Sequence, residues 1–299
     1  MILEKSLLDR LVALDAQGFI PGENESVEEF SARVIRTRKI LVEFEKELVS
    51  REKVRVFDSF EVSSVDRIAP ELVGEATEKT WDLYRFSIRY VPGFYLTEKV
   101  GLLWGGCMIA DVENDFSLFL LRNVFRKKRK FLNYCREELL AHELCHAARA
   151  ALQDPVLEEY FAYQTSPSKL RRYLGNCFIS ERDAYLFLIP VLLLPVAEFI
   201  RFRYLPGFPV WIFWLVALIY PAYLLIRNAV SRMQVKRAGK NLQRAGIKHI
   251  SAVLFRMSYP EIKEFARKSP ADIPGVIAEK AGNNLRWAVI AELIKRTSN

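Results

Sequence analysis

Apolar positions follow three rhythms along this chain. In MILEKSLLDRLVALDAQGFIPGE they alternate with charges at helical spacing, predicting an amphipathic helix that ends near Gly18. Over residues 27–54, Phe30, Val34, Ile35, Leu41, Phe44 and Leu48 line one face of a second helix. VRVFDSFEVSSV has the texture of a strand. From Trp81 to Leu121, aromatics, β-branched residues and glycines predict short strands, broken at Pro92-Gly93, Gly105-Gly106 and Glu113-Asp115. FSLFLLR, Phe116–Arg122, is the best strand candidate. RKKRKFLNYCREELLAHELCHAARAALQ then predicts one unbroken helix of about seven turns that stops at Asp154-Pro155. Pro155 suits the first turn of another helix starting near Val156.

The third rhythm is no rhythm at all. Residues 184–200 (AYLFLIPVLLLPVAEFI) and 208–226 (FPVWIFWLVALIYPAYLLI) are almost continuously apolar. Each approaches the length of about 20 residues that spans a bilayer as a helix. The short RFRYLPG between them allows a hairpin. Pro190, Pro195 and Pro221 are better tolerated in membrane helices than in water-soluble ones. Trp211, Trp214, Tyr185, Tyr204 and Tyr223 suit the interfacial belt. The alternative is a hairpin buried in a soluble core. Glu198 falls near the end of the first run, within reach of the interface. Beyond the second run, SYPEIKEFARK and NNLRWAVIAELIKR predict helices of a small C-terminal domain.

Composition agrees with polar parts around a concentrated apolar segment: 51% of the 299 residues are hydrophobic and 27% charged. The net charge is +8. Much of the excess flanks the apolar runs, with Lys169, Arg171, Arg172 and Arg182 before them and Arg227, Arg232, Lys236, Arg237, Lys240 and Arg244 after. The turn carries only Arg201 and Arg203. The positive-inside rule then places both termini and both large parts in the cytoplasm, with the turn outside an inner, cytoplasmic membrane. The N-terminal stretch has no uninterrupted apolar region, so no signal peptide is expected. Basic residues beside a bilayer match anionic headgroups, and no nucleic-acid partner is expected. Cys107, Cys135, Cys145 and Cys177 form no CxxC pair and read as reduced thiols, Cys145 as a small buried helix residue.

The chemistry gathers in LLAHELCHAARAALQDPVLEEYFAYQTS. His142 and His146 are four apart, so a helix presents both on one face and lets them share a metal ion. Zinc suits two imidazoles plus a carboxylate with one position left open. Glu143, next to His142, is placed to act as general base on a metal-activated water. The adjacent Glu137 and Glu138 point about 100° apart on a helix and read as a solvated face, not an acid/base pair. His249, beyond the apolar hairpin, reads as a surface or core residue.

HELCH followed by EEYFAY resembles the zincin metallopeptidases of the gluzincin type, over roughly residues 116–163. The resemblance implies a third metal ligand on the following helix, within an E-x-x-A segment. That alignment makes Glu159 the ligand, with Glu158 as the alternative. It implies a cleft-lining strand that pairs with extended substrate, here pointing to FSLFLLR. It also implies an oxyanion-stabilising side chain. Arg149, one turn beyond His146, is first choice, and Tyr160 and Tyr163 are the others. Two departures stand out: the spacing from His146 to Glu159 is short, and Tyr163 occupies the place of an aspartate that often follows the ligand glutamate, leaving the histidines without an assigned second partner.

Together these readings predict an α+β chain. Residues 1–80 form an N-terminal helical region and 81–183 a zincin-like metallopeptidase domain with a small sheet and active-site helices. Residues 184–227 form a transmembrane hairpin and 228–299 a C-terminal helical domain. The expected activity is zinc-dependent hydrolysis of peptide or protein substrates near the membrane, with Glu143 as base. The alternative is an inactive zincin-like membrane protein serving as a binding or structural module.

Overall fold

The computed structural model describes residues 3–57, 60–97, 101, 104–111 and 116–298. Two helices open the chain, α1 (Lys5–Ala16) and α2 (Val27–Ser50). A capping box starts α2: the Ser26 hydroxyl accepts from the Glu29 N–H, and the Glu29 carboxylate accepts from the Ser26 N–H. The predicted strand is a hairpin of β1 (Val54–Val56) and β2 (Phe60–Val62). Next comes α3 (Pro70–Tyr84), so Trp81 ends a helix where the strand-like texture was expected to begin. Pro70 sits in its first turn and Arg85 closes it in a left-handed conformation.

The strand region folds into β3 (Gly93–Leu96), β4 (Gly106–Asp111) and β5 (Phe116–Arg122). The expected breaks before β3 and β4 occur, while Glu113-Asp115 lies outside the described residues. Sheet order is β3-β5-β4, with β3 parallel and β4 antiparallel to β5. The span of β5 matches the expectation, but its place does not. Both its edges are paired, so its backbone has no edge for an extended substrate, and β4 is the strand beside the histidine helix. Burial explains this: Leu118, Phe119, Leu120 and Leu121 are apolar on both faces and serve two separate cores.

The predicted seven-turn helix is also corrected. After a single turn, α4 (Val124–Lys127), the chain forms a tight hairpin of β6 (Lys130–Phe131) and β7 (Tyr134–Cys135). Only then does α5 (Arg136–Arg149) begin, followed by a 3₁₀ turn over Ala150–Leu152. Leu132 takes a left-handed conformation beside Asn133, and five adjacent cations would repel along a continuous helix.

Short helices α6 (Glu158–Tyr163) and α7 (Lys169–Leu174) precede two long ones, α8 (Glu181–Arg203) and α9 (Val210–Arg244). Both long helices are apolar enough to cross a membrane. Only 11% and 17% of their most apolar windows are buried within the protein, so the chain itself does not enclose the hairpin in a core. They are joined by Asp183, which accepts from Arg227 at 2.6 Å and from the Tyr220 hydroxyl at 2.7 Å. Glu198 pairs with Arg201 at 2.7 Å. Past its apolar part α9 continues without a break and packs on α10 (Ile250–Phe255) and α11 (Tyr259–Arg267), while α12 (Ile273–Asn283) packs on α13 (Leu285–Ser298) and α13 on α1.

One core joins both sides of the hairpin: Ile20, Phe119, Leu144, Phe161, Val235, Phe255 and Trp287 belong to it. At its centre Arg256, fully buried, donates to both Asp15 oxygens and to the carbonyls of Tyr84 and Ala252. The first helix is thereby bonded to residues 241 positions away. Asp15→Ala would leave that cation unpaired and is expected to cost about 3–5 kcal/mol. Asp15→Ala/Arg256→Met should recover part of the loss, measured by thermal unfolding in detergent.

Candidate metal centre

Helix α5 is held by its first turn. Glu137 and Glu138 are buried and paired, not solvated: Arg129 bonds Glu137 at 2.6 Å and Arg171 bonds Glu138 at 3.0 Å. Their place at the helix N-terminus suits negative charge, and Arg129 just before β6 and Arg171 of α7 pair with them. Leu140, Ala141, Leu144 and fully buried Cys145 face the core. His142 and His146, one turn apart, face α6 instead.

The short spacing from His146 to Glu159 is closed by a built turn. Gln153 takes a left-handed conformation at the end of the 3₁₀ turn. Asp154 then accepts from Arg149 Nη2 at 3.0 Å, from the Val156 N–H at 3.2 Å and from the Tyr259 N–H at 3.0 Å. This reversal lays the first turn of α6 against the histidines.

The two adjacent glutamates then take different tasks. Glu159 reaches the Nε2 atoms of both histidines, 3.5 Å from His142 and 3.6 Å from His146. Those two Nε2 atoms are 3.1 Å apart. A different Glu159 oxygen faces each histidine, Oε2 towards His142 and Oε1 towards His146, and with one ligand atom taken from each residue the three lie within 4.8 Å of one another. Glu158 turns the other way, with Oε1 3.1 Å from His146 Nδ1. Its Oε2 accepts from Arg149 Nε at 3.3 Å. In the neutral imidazole, a proton on Nδ1 donated to Glu158 leaves the Nε2 lone pair of His146 aimed at the cluster. Among the described residues, His142, His146 and Glu159 are the group that could hold a metal ion.

Electrostatics separates the groups further. Burial, then the nearby charges of His146 and Arg171, push His142 down to about 3. Burial also pulls on His146, but the hydrogen bond and charge of Glu158, with Glu143 and Glu159, outweigh it and raise His146 to about 9. Burial raises Glu159, opposed by His146 and helped by Glu143 and Glu158.

Glu143 lies beside the triangle, and its carboxylate accepts the Met108 N–H of β4 at 2.9 Å. Burial raises its pKa, opposed by His146 and by that N–H. Tyr163 packs edge-on against His142, ring centroids 4.6 Å apart. Burial and then Glu159 lift its phenol to about 12, so it stays a proton donor at neutral pH. Arg149 does not join the triangle. Fully buried, its guanidinium is bonded to Asp154, Glu158 and the carbonyls of Phe255 and Met257, and it lies over the rings of Phe161 and Phe255. Tyr160 lies under Arg232, and exposed His249 contacts Arg85. Sequence reasoning missed Met108 and Asp154. A backbone donor leaves no residue signature, while the Asp-Pro pair marked the turn but not its partners.

Comparison of the chain with protein-family models, with curated proteins and with solved structures finds no match.

The geometry separates Glu158 from Glu159. Glu159→Gln should abolish tight binding of zinc, read by competition with a chromophoric chelator. Glu158→Gln should keep one site per chain and weaken it about 10–100-fold.

Proposed function

We propose that this chain is a membrane-anchored zinc metallopeptidase of the gluzincin type, working on the cytoplasmic side of an inner membrane. The observation that carries the proposal is the convergence of His142, His146 and Glu159 with a buried carboxylate, Glu143, held at its edge. Two imidazoles and one carboxylate favour zinc, and the half-exposed Glu159 leaves a side open to substrate. His142, His146 and Glu159 would hold the ion, whose chemistry there would be to acidify water and polarise a carbonyl. Glu143 takes the proton of the attacking water and returns it to the leaving amine, a role that suits a carboxylate whose pKa burial has raised.

The remaining residues position or guide. Glu158 keeps His146 in the tautomer that presents Nε2, and Arg149 holds Glu158 in place. Arg149 is thus a positioning residue, and Tyr163 is the side chain left to steady negative charge on the carbonyl oxygen. Substrate backbone pairs with β4. Its Met108 N–H points away from β5, and side-by-side alternation gives Gly106 and Ala110 the same outward direction. The basic residues beyond α9's apolar half and before α8 support a cytoplasmic placement of both large parts.

Glu143→Gln should retain zinc and lower hydrolysis of an unfolded protein such as casein by about 10²–10⁴-fold, measured on detergent-solubilised protein. Hydrolysis that survives the change removes Glu143 as base. Zinc bound by the unaltered chain with no hydrolysis would support a structural module instead.

A further inference from the structure

Helix α7 has its polarity reversed. A short amphipathic helix on a water-soluble protein turns its apolar side inward and its charges outward. In α7 the outward side is Leu170, Tyr173 and Leu174, which are 67%, 44% and 40% exposed and follow the i, i+3, i+4 spacing of one face. Arg171 instead points into the protein, bonded to Glu138 at 3.0 Å and lying over the Tyr134 ring.

Six residues are too few to hold a helix in water, so outside contacts must set its position. They come from α9, just past its apolar half. Arg232 donates to the Arg172 carbonyl, Asn228 to the Tyr173 carbonyl and Arg227 to the Cys177 carbonyl, each at 2.7 Å. These donors span about one and a half turns of α9, so α7 is pinned at the level where the second apolar run ends. Phe178, 42% exposed, meets Phe187 of α8 edge to face at 5.6 Å. The segment leading out of α7 is therefore seated against α8.

We propose that α7 and Phe178 are an interfacial foot, lying in the boundary between lipid headgroups and acyl chains and fixing the height of the metal centre above the bilayer. The occupant of this face is lipid, because α7 is bonded to a membrane-length helix where its apolar run ends, Phe178 contacts the other such helix, and the exposed side chains are leucine, tyrosine and phenylalanine with Lys169 at the rim. The foot lies one side chain from the metal ligands. A Cβ at Gly175 would fall 2.1 Å from the Tyr163 ring, and that ring packs on His142. The substrate class that fits is a polypeptide anchored in the same membrane and cut close to where it emerges. This last step rests on the metallopeptidase reading, whereas the foot itself rests only on the membrane hairpin.

The test uses full-length protein in nanodiscs of phosphatidylcholine and phosphatidylglycerol. Spin labels are placed by Leu170→Cys or Leu174→Cys after Cys107→Ser and Cys135→Ser, since Cys145 and Cys177 are buried. Val49, 85% exposed on α2, serves as the water control and Leu218 of α9 as the lipid control. The ratio of collisions with oxygen to those with a water-soluble nickel chelate should be several-fold higher at 170 and 174 than at 49. Values equal to that at 49, with 218 in lipid, overturn the foot alone. A label at 218 that is also open to the chelate overturns the hairpin and the foot together. The same unfolded peptide is then offered free and lipid-tethered on vesicles. Faster cleavage of the tethered form, lost in Leu170→Glu/Leu174→Glu while the free form is still cleaved, supports the substrate class. Equal rates for both forms overturn it, and cleavage of neither overturns the peptidase reading while the spin labels still decide the foot.

Discussion

A buried guanidinium requires anions around it, and Arg149 organises the molecule by that requirement. It has no exposed surface, and it lies between the histidine helix, the Asp-Pro turn, the glutamate helix and the residues beyond the hairpin. Desolvating a cation is so costly that each of its partners must stay in place. Asp154 is thereby committed to the turn that brings α6 back, and Glu158 is committed to His146. The geometry of the three donor atoms is a consequence of that arrangement.

The same network ties the site to the C-terminal part. Carbonyls of Phe255 and Met257 accept from Arg149, and the Tyr259 N–H donates to Asp154. Arg256, the next residue, is bonded to Asp15 at the other end of the chain. Residues after the hairpin thus complete the surroundings of a cluster that lies wholly before it. Helix α9 makes this possible, running unbroken from its apolar half into the shared core at Val235, Ala238 and Leu242. The hairpin joins two sections of one folded body, which is why α7, α8 and α9 meet beside the site.

Several elements were legible because their signals are local. The apolar runs, the apolar face of α2, the span of β5 and the facing of His142 and His146 each follow from residues within a few turns of one another. Errors arose where a local pattern competed with a distant partner. Glu137 and Glu138 read as solvated because nothing nearby in sequence announced Arg171. Arg149 read as facing the site because one turn after His146 is roughly the same face, yet partners more than a hundred residues away drew it aside. The basic run looked helical by continuity with α5, and a two-residue turn at Leu132-Asn133 broke it.

The sequence by itself determined which residue types stand at helical spacing, and so the candidates for metal binding: two histidines on one face and a pair of glutamates on the next helix. It also determined the two membrane-length segments, since length and apolarity are properties of a continuous run. Only the tertiary structure decided between Glu158 and Glu159. Adjacent residues on a helix point about 100° apart, so the choice depends on how α6 docks against α5, and a buried arginine and a turn set that docking. It likewise decided that β4, not β5, is the edge strand beside the histidine helix, because strand order depends on pairing between distant segments that no local pattern encodes.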